Sequence, residues 1–243
     1  MPSAQELLEA GVHFGHRTSA WHPKMEPYIF GVKQNIHIID LAKTLQKLEE
    51  ALVFLSEVLG RGGQILLVGT KPAAKEIIKE TAEKLGMPYV KERWLGGTLT
   101  NFKTIAKRIE YYHHLIEQQK SGELAKYTKK ERLHLERKLA KLDRQLFGIR
   151  NLNKIPQALL VASPKADNTA VREAIRLKVP VVALVDTNTD PTTINYMIPA
   201  NDDAASSLRK IFEIISDNLL EVKKTLLANP PAEEKTDDSS RAS

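Results

Sequence analysis

The side chains best suited to chemistry crowd between Phe102 and Arg150, where thirteen lysines and arginines face six acids, a surplus of seven in a chain whose total charge is +6. They are Lys103, Lys107, Arg108, Lys120, Lys126, Lys129, Lys130, Arg132, Arg137, Lys138, Lys141, Arg144 and Arg150. A self-paired, merely solvated helical face needs the two signs in balance, and this stretch is far from balance. Ammonium and guanidinium groups in such excess point to a polyanionic partner.

Other residues invite a different chemistry but do not complete it. Gly69-Thr70-Lys71 follows an apolar run, where backbone N–H groups and a lysine hold phosphate in many folds, yet neither G-x-x-x-x-G-K-[ST] nor G-x-G-x-x-G occurs. Asp186, Asp190, Asp202 and Asp203 suit a cation or acid–base work, although aspartates at such places more often make turns and caps. His13 and His16 form an H-x-x-H pair without a third or fourth ligand close in sequence, so ordinary hydrogen-bonding histidines are expected. Cysteine is absent, which removes disulfides and thiolate chemistry and makes cytosol the default compartment. No serine sits in a G-x-S-x-G elbow. The expectation is a protein with no catalytic residue, no cofactor, no metal and no small-molecule substrate.

The elements that must carry the cations are legible from periodicity. Phe102, Ile105, Ile109, Tyr112 and Ile116 recur at helical spacing, and Ser121-Gly122 breaks the pattern. Thr128 and Glu131 have capping-box spacing, Leu135, Leu139, Leu142 and Leu146 form a second stripe, and Gly148 stands where a left-handed cap commonly ends a helix. Two such helices bury their seams against each other, which predicts an antiparallel coiled-coil hairpin over 102–148 protruding from the body.

Around the hairpin, apolar runs alternate with amphipathic segments. Helices are expected at Ser3–Ala10, Leu41–Leu59 capped by Asp40, Ala73–Leu85, Asn168–Leu177, and from a cap at Asp202 or Asp203 to about Leu227. Strands are expected at Gln64–Val68, Tyr89–Val90, Ala158–Val161, Val181–Val185 and Ile194–Ile198, with a β-hairpin of Tyr28–Val32 and Ile36–Ile39 turning at Lys33-Gln34-Asn35. This is an α/β pattern, a flavodoxin-like parallel sheet with helices on both faces, interrupted by the hairpin. The division that follows is a discontinuous domain of 1–101 and 149–228, whose first forty residues extend it as a loop and β-hairpin, an insertion of 102–148, and an acidic, Ser-rich tail of 229–243 expected to be disordered. The start lacks a signal peptide's character, and the longest apolar run, Val179–Val185, falls far short of the ~20 residues that span a bilayer, so a soluble protein with no membrane partner is expected.

Three long signatures add a resemblance. Leu8–His16 with Trp21–Met25, Trp94–Asn101, and Val185–Pro191 closely resemble the bacterial form of the small-subunit ribosomal protein two family, over about Ala4 to Leu227. The resemblance implies a structural constituent of the small ribosomal subunit in the cytoplasm, bound to small-subunit (16S) rRNA near the junction of head and body. It also implies that neighbouring small-subunit proteins, including the largest one, are partners. Two positions depart from the family's pattern: Ser163-Pro164 stands where an acid is usual, and Asn168 where a histidine is common. On this footing the expected RNA-binding residues are Arg17, Lys24, Lys33, Lys103, Lys107, Arg108, Lys129, Lys130, Arg132 and Arg137, contacting phosphates and ribose hydroxyls rather than base edges. Trp21, Tyr28 and Trp94 are candidate stacking rings, with packing against the domain the favoured role for Trp94.

Overall fold

A computed structural model describes residues 2–228 of the chain. Ser3 and Glu6 close a capping box over the first helix, Ala4–Glu9 (α1), and Gly11 turns the chain at φ +76°. Strands Phe14–Arg17 (β1), Ile29–Lys33 (β2) and Ile36–Ile39 (β3) form an antiparallel sheet in the order β1-β3-β2. The turn between β2 and β3 is two residues long: Lys33 pairs with Ile36, leaving Gln34 and Asn35 at φ 50° and 62°. Successive left-handed residues match the right-handed twist of a tight hairpin, so Lys33 belongs to the strand and not to the turn. Strand β1 was not evident in the sequence, because Phe-Gly-His-Arg lacks a buried alternating face.

Asp40 Oδ1 accepts the amides of Ala42 and Lys43 and starts Leu41–Gly60 (α2). Ile65–Val68 (β4), Lys75–Leu85 (α3) and Tyr89–Val90 (β5) follow, and Gly86 ends α3 in the left-handed region. Next come Phe102–Lys120 (α4) and Lys129–Leu146 (α5), then Ala158–Val161 (β6), Asn168–Arg176 (α6), Val181–Val185 (β7), Tyr196–Pro199 (β8) and Ala205–Ala228 (α7). The five later strands are all parallel, in the order β5-β4-β6-β7-β8. Counted among themselves in chain order this is 2-1-3-4-5, the flavodoxin-like arrangement.

Period-two alternation splits the strands between two cores. Ile65, Leu67, Leu160, Leu184 and Ile198 pack with α2, α3 and α7, whereas Leu66, Val68, Leu159, Val161 and Ala183 pack beneath α6, α4 and the end of α5. Ile105, Ile109, Tyr112, Leu142 and Leu146 thus join the two long helices to the second core. The helices run back along each other, joined through Ser121–Thr128, with Tyr112 donating to Asp143 and Lys138 Nζ to Tyr111 Oη at 2.8 Å.

Several expectations need correction. Gly148 is not a left-handed cap; it lies in the 3₁₀ turn Phe147–Ile149, where a Cβ would stand 2.2 Å from the Tyr89 carbonyl oxygen, so close approach is the reason for glycine there. Neither Asp202 nor Asp203 is seen capping α7: their carboxylates meet Lys71, Ser163 and His16, and Asn201 Oδ1 accepts the amides of Asp203 and Ala204 just before the helix. The last strand begins at Tyr196 because Ile194 ends a 3₁₀ turn and Asn195 Oδ1 accepts the Val181 amide. Residues 229–243, expected to be disordered, lie outside the described residues.

Candidate nucleic-acid interface

The cations of α4 and α5 stand apart from those of the body in how they are paired. Among the described residues, only Arg132 of the thirteen cations between Phe102 and Arg150, eleven of them on these two helices, has a carboxylate in ion-pair range, Glu136 at 3.5 Å. That exposed i,i+4 pair is worth a few tenths of a kcal/mol and leaves the guanidinium available. Lys138 lies over the Tyr111 ring and Arg150 over that of Phe147, at 4.5 and 4.0 Å. On the body, by contrast, Lys71, Lys75, Lys84, Lys91, Arg209 and Lys210 each meet an acid. About half of the described body's cations meet an acid and its two signs nearly balance, 21 Lys/Arg against 20 Asp/Glu, whereas the stretch from Phe102 to Arg150 holds thirteen against six.

Lys103, Lys107 and Arg108 are exposed on α4, and Lys129, Lys130, Arg132 and Arg137 on α5. Thr128 and Glu131 close the predicted capping box, with Thr128 N donating to Glu131 Oε2 at 3.0 Å, which holds the first turn of α5 and its cations in helical register. The N-terminal candidates sit elsewhere. Arg17 and Lys33 both pair with Ile36, from opposite neighbouring strands, so they share one face of the small sheet roughly 10 Å apart. Lys24 is engaged: its Nζ lies 3.1 Å from Asp190 Oδ2 and 3.1 Å from Thr192 Oγ1.

Of the three rings, Trp94 is a packing residue, 7% exposed with its indole N–H given to Glu173 at 3.0 Å. Trp21 is 36% exposed and lies beside His37. Tyr28 is half-buried against the second core.

Glu173 is the residue that sequence analysis missed. Its carboxylate, on α6, also accepts the amides of Gly97, Leu99 and Thr100 and the Thr100 hydroxyl. Burial acts to raise its pKa, but the bonds from Trp94 and from the amides of Thr100, Gly97 and Leu99 outweigh it and hold the carboxyl below its ordinary value. The only signal in the sequence was an acid lying among Ala170, Val171 and Ala174, which are buried.

The carboxyl edge of the parallel sheet, where such folds hold ligands, is filled by the chain's own N-terminal segment. His16 N donates to Thr187 Oγ1, His22 N to the Thr187 carbonyl, and Asn201 N to that of Val12. Lys71 lies 2.7 Å from both Asp202 and Asp203, Thr70 Oγ1 donates to Asp167, and Ser163 Oγ to Asp202. Burial raises the pKa of Asp167 and Asp202 against these bonds, while Lys71 lowers that of Asp203.

The H-x-x-H pair is not brought together as ligands. His13 packs on Phe14, and burial followed by the charge of Lys33 lowers its pKa. His16 instead places Nδ1 3.0 Å from Asp186 and Nε2 3.1 Å from Asp203. The Asp186 oxygen is close to Nδ1 but off the direction of a well-formed hydrogen bond. It nevertheless raises the His16 pKa, against burial. A protonated ring bridges the two carboxylates through both of its nitrogens; alternatively one ring nitrogen and the two carboxylates, with ligand atoms within 4.8 Å of one another, can act as donors to a divalent cation. The partners of His16 come from loops 170 and 187 residues away in sequence, which is why spacing did not reveal them.

Among the described residues no helix is long and apolar enough to cross a membrane. Residues 7–222 match the family described as Ribosomal protein S2. The small ribosomal subunit protein uS2 of Petrotoga mobilis is 47% identical over 222 residues, covering 91% of this chain and 77% of that protein. That of Desulfatibacillum aliphaticivorans is likewise 47% identical over 222 residues, covering 91% and 76%.

Proposed function

The chain belongs to the ribosomal protein S2 family, and on that footing we propose that it is a non-enzymatic structural constituent of the small ribosomal subunit, binding 16S rRNA at the head–body junction and supporting translation in the cytoplasm. The observation that carries the RNA-binding role is the segregation of charge: the two signs nearly balance on the described body, while residues 102–150 hold thirteen cations against six acids and only Arg132 among them meets a carboxylate. Unneutralised lysines and arginines release counterions from a phosphate backbone, the main source of affinity for structured RNA. Residues 102–148 act as a coiled-coil arm inserted into the discontinuous α/β domain, and Lys103, Lys107, Arg108, Lys129, Lys130, Arg132 and Arg137 touch the phosphates. Arg17 and Lys33 supply a second cationic patch on the N-terminal extension, with Lys24 nearby. The largest small-subunit protein and other subunit neighbours are the protein partners.

Cosedimentation with small ribosomal subunits after a high-salt wash tests this directly. Retention in the subunit peak at near-stoichiometric level is expected, together with no saturable heat when nucleotides or sugar phosphates are titrated into the free protein. A chain that washes off while binding a nucleotide would place its function at the sheet edge instead.

A further inference from the structure

Buried carboxylates are costly unless every lone pair finds a donor, and Glu173 commits both of its oxygens to a single short loop. Oε1 takes Trp94 Nε1 at 3.0 Å and Gly97 N at 2.8 Å; Oε2 takes Leu99 N at 3.0 Å and the Thr100 amide and hydroxyl at 3.1 Å each. That loop leads straight into α4. The carbonyl of Gly97, a residue at φ +87°, accepts the Asn101 amide at 2.9 Å, and the Asn101 carbonyl accepts the amides of Thr104 and Ile105 in the first turn of the helix. The Asn101 side chain makes no cap to the helix backbone, so the loop itself sets where α4 begins.

From this geometry we infer that Glu173 is a positioning residue for the RNA-binding arm: by gathering five donors of the 94–100 loop onto α6, it fixes the direction in which α4, and α5 with it, leaves the body. The apolar contacts under Ile105 and Ile109 add attraction but little direction, because hydrophobic burial is non-directional. The hydrogen bonds supply the direction. A 19-residue helix is about 28 Å long, so a tilt of roughly 10° at its base moves its far end by about 5 Å. The consequence for RNA rests on the function proposed above; the positioning itself does not.

The chain contains no cysteine, so Lys130→Cys on α5 and Glu49→Cys on α2 give two unique attachment points for spin labels on exposed positions. In the full chain without RNA, Glu173→Gln replaces an acceptor oxygen with an NH₂ group facing N–H donors. The label-to-label distance distribution is expected to broaden or shift by about 5 Å, and the Gly97, Leu99 and Thr100 amides to exchange at least tenfold faster. Glu173→Asp, which keeps the carboxylate, should fall between Gln and the parent. Should Glu173→Gln not fold, Trp94→Phe and Thr100→Val each remove one donor and should broaden the distribution less, in the same direction. A distribution that superimposes on the parent's in whichever of these variants folds overturns the inference. Labels that move while rRNA affinity stays constant would instead reject the arm as the RNA-binding element.

Discussion

Lys24 Nζ stands 3.1 Å from Asp190 Oδ2, joining the turn at Pro23–Tyr28 to that at Pro191–Thr193. Thr192, through its hydroxyl and amide, and then Lys24 hold Asp190 down at about 2. A depressed carboxylate contributes stability above the ordinary carboxylate range, near pH 4, and loses it as pH falls toward 2. Both side chains are largely exposed, so Lys24→Ala is expected to lower urea-unfolding stability by no more than about 1 kcal/mol at neutral pH. The difference from the parent should fade below pH 3. In RNA binding, Lys24→Ala should leave the salt dependence nearly unchanged, because its ammonium is already committed.

Lys129, Lys130 and Arg132 differ from Lys24 in having no such anchor on the body. Reversing all three to Glu is expected to flatten the slope of log affinity against log salt by about one unit for each phosphate that is no longer neutralised, and to weaken small-subunit rRNA binding at least tenfold at low salt. Filter binding across a salt series measures both. An unchanged slope would move the RNA-facing surface to the N-terminal sheet, where Arg17 and Lys33 flank Ile36.

How much of this was legible follows from which forces act locally. Strand runs such as Ile65–Val68 and Val181–Val185, the Thr128–Glu131 capping box and the Asp40 cap depend on neighbours within four residues, and the structure has them where periodicity placed them. The charge surplus of α4 and α5 was visible, but its lack of carboxylate partners was not, because pairing on the body joins residues such as Lys84 and Asp217. Glu173, the His16 cluster and the short β1 strand all depend on partners distant in sequence. No spacing rule reaches them.

Gly148 gives a test of close approach against backbone conformation. A Cβ there would meet the Tyr89 carbonyl oxygen at 2.2 Å and its ring at 2.8 Å, and backbone cannot step aside cheaply. Gly148→Ala is expected to cost about 2–3 kcal/mol. Gly122, at φ +76° between the long helices, has open space around it, so Gly122→Ala should cost only about 1–2 kcal/mol through the left-handed backbone. Thermal unfolding of both variants decides the order; equal shifts would mean that the junction of β5 with the end of α5 yields more readily than this packing implies.

Glu173 also makes a pH prediction with a built-in reporter. Its folded pKa lies below the unfolded carboxylate value of about 4.3, so its contribution is complete above that pH and lost as pH falls through the lower, folded value. Protonation removes one acceptor oxygen and puts an O–H among five donors, which should release Trp94 from a buried, hydrogen-bonded site. The chain has two tryptophans, so Trp21→Phe leaves Trp94 as the sole indole fluorophore. Its emission is expected to shift to the red only at pH below the ordinary carboxylate range, ahead of any loss of helical circular dichroism. In Glu173→Gln the emission should already be red-shifted at neutral pH and flat until global unfolding. Emission of the parent that stays constant until the helices melt, or a Gln variant that titrates as the parent does, would show that another group controls the loop.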